Sequence, residues 1–119
     1  MIKIKKNKNI LIIGEDILIE FSCDIQQLLI DGSKIYILLK PSLNQTRGYN
    51  EYHNIYCYDI EGNIVWQIGE RAKDIDDNVV FVLININDEK LYASDFFGRR
   101  FEVDKGTGTI VQNSVEITK

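Results

Sequence analysis

The side chains able to do chemistry are few in this chain, and most of them gather in two short stretches. His53 is the only histidine; Tyr52 precedes it directly, with Glu51 and Arg47 a little earlier. A histidine titrates near neutrality and serves as a general acid or base, but the stretch supplies no nucleophile or second acid at a useful spacing. A surface histidine at the start of a strand is expected. Asp74-Ile75-Asp76-Asp77-Asn78 superficially resembles a calcium loop, yet its sixth position is Val79 rather than Gly and its twelfth is Asn85 rather than Glu. A solvated acidic turn is expected there. Gly106-Thr107-Gly108 could cradle a phosphate only ahead of a helix, and no helix-forming run follows it. Cys23 and Cys57 form no CxxC pair and have no second histidine with which to complete a metal site, so buried free thiols are expected. The residues thus name no catalytic group, metal or cofactor.

Composition says more about the scaffold. Ile occurs 20 times and Ala twice in 119 residues, alongside 6 Tyr and 5 Phe, so β-branched and aromatic residues outweigh helix formers. The length suits one domain that buries its own core without disulfides or metal. Of the net charge of −4, Lys3, Lys5, Lys6 and Lys8 carry +4, which leaves −8 on the rest. An acidic body disfavours nucleic acid and favours a basic protein partner. The N-terminus lacks the apolar core of a signal peptide, and Ile10-Leu11-Ile12-Ile13 is too short to span a bilayer. A cytoplasmic protein is expected.

Short strands separated by turn residues run the length of the chain. Ile10 to Ile13 and Asp16 to Phe21 read as an N-terminal hairpin around Gly14-Glu15, with Ile2 to Lys5 as an added edge strand. Two copies of a four-strand unit follow, at about residues 25–69 and 79–113. Lys34-Ile35-Tyr36, Tyr56-Cys57-Tyr58-Asp59 and Gly62-Asn63-Ile64-Val65 recur as Lys90-Leu91-Tyr92, Phe101-Glu102-Val103-Asp104 and Gly108-Thr109-Ile110-Val111. In the first unit Gln26 to Ile30 turns at Asp31-Gly32 into Lys34 to Lys40; Asn54 to Asp59 and Asn63 to Ile68 complete it. The second unit is Val79 to Ile84, Lys90 to Ser94, Arg99 to Asp104 and Thr109 to Gln112. Val79 to Ile84 and Ile35 to Leu39 are apolar on both sides, which predicts strands covered twice. The fold class expected is all-β: two four-stranded antiparallel meanders packed face to face, with the N-terminal hairpin covering an edge.

Tyr58-Asp59-Ile60-Glu61-Gly62-Asn63-Ile64-Val65-Trp66 and Val103-Asp104-Lys105-Gly106-Thr107-Gly108-Thr109-Ile110-Val111 resemble the blade signature of quinoprotein-type β-propellers, in which an Asp, a Gly turn and a Trp recur. Gln112 stands at the Trp position of the second copy, and two blades are too few to close a ring. The resemblance therefore implies a half-propeller without the cofactor site of a closed ring.

The copies differ most where the first carries the extra segment Pro41 to Tyr52, which the scaffold does not require and which is either a functional loop or a tolerated insertion with no role. Tyr, Asn and Gly beside charge in Gly48-Tyr49-Asn50-Glu51-Tyr52-His53 suit an adaptable binding loop. The expected partner-binding residues are accordingly Arg47, Tyr49, Glu51, Tyr52 and His53, with Asp74, Asp76 and Asp77 steering association. Trp66 is expected to pack between sheets, with a partner-facing position as the alternative that brings it into this set. In general character, a small acidic all-β chain without catalytic groups resembles the immunity proteins of bacterial toxin and contact-dependent inhibition systems. That likeness implies occlusion of a basic toxin, a nuclease above all. The rival readings are a small-ligand or carbohydrate-binding module and a propeller fragment that assembles into a larger ring.

Overall fold

The computed structural model describes residues 2–42, 46–111 and 115–117. Its strands are β1 (Ile4–Asn7), β2 (Ile10–Ile13), β3 (Ile17–Glu20), β4 (Asp24–Asp31), β5 (Lys34–Lys40), β6 (Ile55–Asp59), β7 (Ile64–Gln67), β8 (Phe81–Asn87), β9 (Lys90–Asp95), β10 (Arg99–Val103) and β11 (Glu116–Ile117). A single helical turn, α1 (Tyr49–Tyr52), precedes β6. The protein is all-β. Three antiparallel sheets run in the orders β1-β2-β3, β4-β5-β6-β7 and β11-β10-β9-β8, so the first meander of the sequence is present whole and the second through its first three strands, with β11 as a different fourth.

Alternation along β5 dictates how the sheets stack. Ile35, Ile37 and Leu39 point to one face and Tyr36 and Leu38 to the other, and all five are buried. The Tyr36 face meets the third sheet in a core with Ile55, Cys57, Trp66, Phe81, Leu91 and Phe101. The Ile35 face meets Leu11 and Ile13 of the first sheet. The N-terminal strands therefore form a three-stranded sheet that covers a face of the first meander, not an edge as the sequence suggested. A doubly apolar β5 needs a cover on each side, and this sheet supplies the second one.

Paired turns lock the stack. Asp59 Oδ1 accepts the backbone N–H groups of Glu61 and Asn63, and Asp104 Oδ1 those of Gly106 and Thr107. Each turn has a glycine at positive φ, Gly62 at 87° and Gly108 at 77°, and each is pressed by the preceding sheet. A Cβ on Gly62 would lie 2.9 Å from Ile17, and one on Gly108 would lie 2.6 Å from Trp66. The Trp66 indole N–H also donates to the Lys105 carbonyl at 2.8 Å. Trp66 is thus a docking residue between the two meanders, and its proposed place at a partner surface is corrected.

Two further expectations change. β8 begins at Phe81 and is covered on one face only, with Leu83 left 49% exposed; a bulge between Phe81 and Leu83 breaks the simple alternation. Of the fourth strand expected at Thr109 to Gln112, the described residues form one bridge, Val103 to Ile110, while β11 pairs with Arg99 and Arg100 at the other end of β10. Gln112 lies outside the described residues, as do residues 43–45 of the long loop.

Candidate interaction surface

The hairpin between β9 and β10 carries the most unusual surface of the described chain. Its turn residues Phe96 and Phe97 are 70% and 61% exposed, a large apolar area to leave in water. The backbone beneath them is fixed. Asp95 Oδ1 accepts the N–H groups of Phe97 and Arg99, Gly98 N–H donates to the Asp95 carbonyl, and Phe96 N–H donates to the Val80 carbonyl. Gly98, at φ 81°, supplies the left-handed residue that closes the turn.

Asp95 is buried, and so its charge must be met from within. Arg99 Nε and Arg71 reach its Oδ2 at 2.8 and 3.4 Å. Arg71, itself fully buried, also donates to the Val79 carbonyl at 2.8 Å and pairs with Asp77 Oδ1 at 3.0 Å, while its guanidinium lies 4.1 Å over the Phe81 ring. Burial presses the Arg71 guanidinium below its usual pKa, opposed by the hydrogen bond to Asp77 and the charge of Asp95. Arg71 Nε has no hydrogen-bond partner, which the stacked aromatic ring partly offsets.

The network continues to the long loop. His53 Nε2 lies 2.7 Å from Asp77 Oδ2 and Nδ1 lies 2.7 Å from the Tyr49 carbonyl, with the Tyr49 ring stacked on the imidazole at 3.9 Å. Partial burial works to raise the Asp77 carboxyl, but hydrogen bonds from the Arg71 backbone and guanidinium, together with His53, hold it below the ordinary carboxylate value. The chain of contacts Tyr49, His53, Asp77, Arg71, Asp95 ties α1 to the aromatic turn through buried polar groups. Asn54 strengthens the tie, since its side chain bonds the Leu39 carbonyl and both backbone groups of Phe81.

Several sequence-derived site residues meet here. Arg47 and Tyr52 line an open groove of about 280 Å³ together with Asn78, Val79, Val80, Phe96 and Phe97. Tyr49 is 54% exposed beside it, and Glu51 reaches back to the Gly48 N–H at 2.6 Å. Asp74 and Asp76 are exposed. His53, however, is 3% exposed, not a surface histidine, and both ring nitrogens are engaged. Asp77 faces inward to Arg71 and His53, so it holds the loop instead of steering a partner.

A family model, Domain of unknown function (DUF7957), matches residues 1–115. The chain belongs to that family. DUF7957 thus spans β1 through β10, including the ion network and the aromatic turn. Comparison with curated proteins gives no match.

Other chemistry finds little footing. Among the described residues no group of three or more His, Cys, Asp or Glu could hold a metal ion. Burial pushes the Cys57 thiol up to about 11, against the opposing charge of Lys34, and raises Cys23 as well; a protonated thiol is a poor nucleophile. No described helix is long and apolar enough to cross a membrane. Sequence reasoning missed Phe96, Phe97, Arg71, Asp95 and Arg99. Two adjacent phenylalanines before a glycine, inside a turn, were the available signal. Arg71 gave none, because only the tertiary fold shows that it is buried.

Proposed function

We propose that this DUF7957 chain is an immunity-type binding protein that neutralises a cognate basic toxin, preferably a nuclease, by docking its aromatic turn against the toxin and covering the active site. One observation carries the reading: Phe96 and Phe97 are exposed on a turn whose backbone is fixed by a buried, ion-paired Asp95. An apolar pair on a backbone already fixed needs no further backbone ordering on binding, which is the character of an interface anchor. Tyr49 and Tyr52 extend the anchor, and the exposed carboxylates of Asp74 and Asp76 attract a basic partner. The area suffices. The described chain exposes 7336 Å², of which a standard interface takes about 800 Å² per partner.

The reading puts the protein in the cytoplasm, where such a toxin would act. It also disfavours assembly into a larger ring, because the outer face of the third sheet carries Arg100 and Glu102, half-exposed, where a further sheet would require apolar side chains. The experiment is to isolate the partner from the native cell, confirm that the chain suppresses its activity, and measure association kinetics. An on-rate that falls as salt rises, and falls again in D74N/D76N, supports the electrostatic part. A salt-independent on-rate unchanged in that variant contradicts it.

A further inference from the structure

The groove between α1 and the aromatic turn has a more specific chemistry than the turn alone. Its lining is Tyr52, Asn78, Val79, Val80, Phe96 and Phe97, together with Arg47. Arg47 is exposed and makes no hydrogen bond or ion pair among the described residues, in contrast to Arg71 and Arg99, which are both ion-paired. The groove is therefore a mainly apolar slot with a guanidinium that no described residue engages. Its volume of about 280 Å³ falls just under the roughly 300 to 1,000 Å³ of ordinary small-molecule pockets, which suits one large side chain better than a whole cofactor or an oligosaccharide. It opens to solvent, so a protruding residue of another protein can enter it.

We propose that this groove receives a single aromatic or large aliphatic side chain of the protein partner, with a carboxylate immediately beside it seated on Arg47. The inference rests on the partner-binding reading above and names what the partner must present. A planar guanidinium pairs with a carboxylate through two parallel hydrogen bonds, which a lysine could not do. Arg47 is a positive charge on a chain of net charge −4. An otherwise basic partner then has one acidic residue whose place fixes the docking register.

The test needs no partner protein. Full-length protein labelled with ¹⁵N is titrated with N-acetyl-phenylalanine, with its uncharged amide, and with acetate, and backbone amide shifts are followed. The expected result is that the acid perturbs Arg47, Tyr52, Val79, Val80 and Phe97, binds about threefold more tightly than the amide, and loses that advantage in R47Q. Acetate alone leaves these residues unmoved. Equal affinity for acid and amide in the wild type, or perturbation confined to other parts of the molecule, overturns the proposal. Since no toxin is involved, this outcome is separable from that of the partner-binding experiment: either can fail while the other succeeds.

Discussion

The two meanders share one topology and differ in what they show to the world on corresponding faces. In the first, Leu29, Tyr36, Cys57 and Trp66 form a row across the sheet, and Leu38 and Ile55 sit in the next row; this face is the main core. In the second, the matching row is Asn85, Tyr92 and Glu102, and the next holds Leu83, Ser94 and Arg100. Cys57 has become Glu102, Leu38 Ser94 and Ile55 Arg100, while Arg100 stacks over the Tyr92 ring at 3.8 Å. One face is made to meet another sheet and the other to meet water. That is how a stack of repeats caps itself; Leu83 is left 49% exposed on this flat face, while Phe96 and Phe97 expose 70% and 61% at the loop end of the sheet.

The contrast can be broken most sharply at Cys57. C57E, which installs the second meander's residue in the first, should cost about 4 kcal/mol or abolish folding, because it buries an unpaired carboxylate. The converse E102C should change stability by under about 0.5 kcal/mol in urea unfolding. Comparable losses from the two would refute the assignment of faces. R71M should follow at about 3 kcal/mol, since it leaves the buried Asp95 with only Arg99.

The docking of one meander on the other is probed at Gly108. G108A forces both a positive φ and a clash with the Trp66 ring, and a loss of about 2 kcal/mol is expected. G32A, at φ 60° with open space around it, should cost only about 1 kcal/mol. A smaller effect concerns pH. The Asp77 carboxyl is depressed in the fold, so its contribution is complete above the unfolded carboxylate pKa and is lost as pH falls through the lower folded value. D77N should be less stable near neutrality and flatter on the acid side, as thermal midpoints across pH would reveal.

Much of this contrast was legible in the residues, although not all of it. The Lys-Ile-Tyr and Lys-Leu-Tyr starts and the Asp-Gly turns gave the meanders because two-residue hairpins and Asp-capped turns are local devices. Ile10-Leu11-Ile12-Ile13 carries no polar alternation, so nothing in it says which face it covers. Val79 to Ile84 read as doubly buried because the bulge after Phe81 is invisible in the sequence. At the site, Tyr49, Tyr52 and Arg47 were within reach of composition. Arg71 and Asp95 were not, because their pairing joins segments that only the packed sheets bring together.

The central claim is that the rigid aromatic turn, rather than the broad outer face of the same sheet, makes the contact that counts. Affinity for the isolated partner should be compared between F96A/F97A and the outer-face variant L83A/Y92A by calorimetry, with thermal midpoints measured alongside. The account predicts at least about a hundredfold loss in F96A/F97A with little change in melting, and near wild-type affinity in L83A/Y92A. Undiminished affinity in F96A/F97A, or its loss in L83A/Y92A alone, would contradict it.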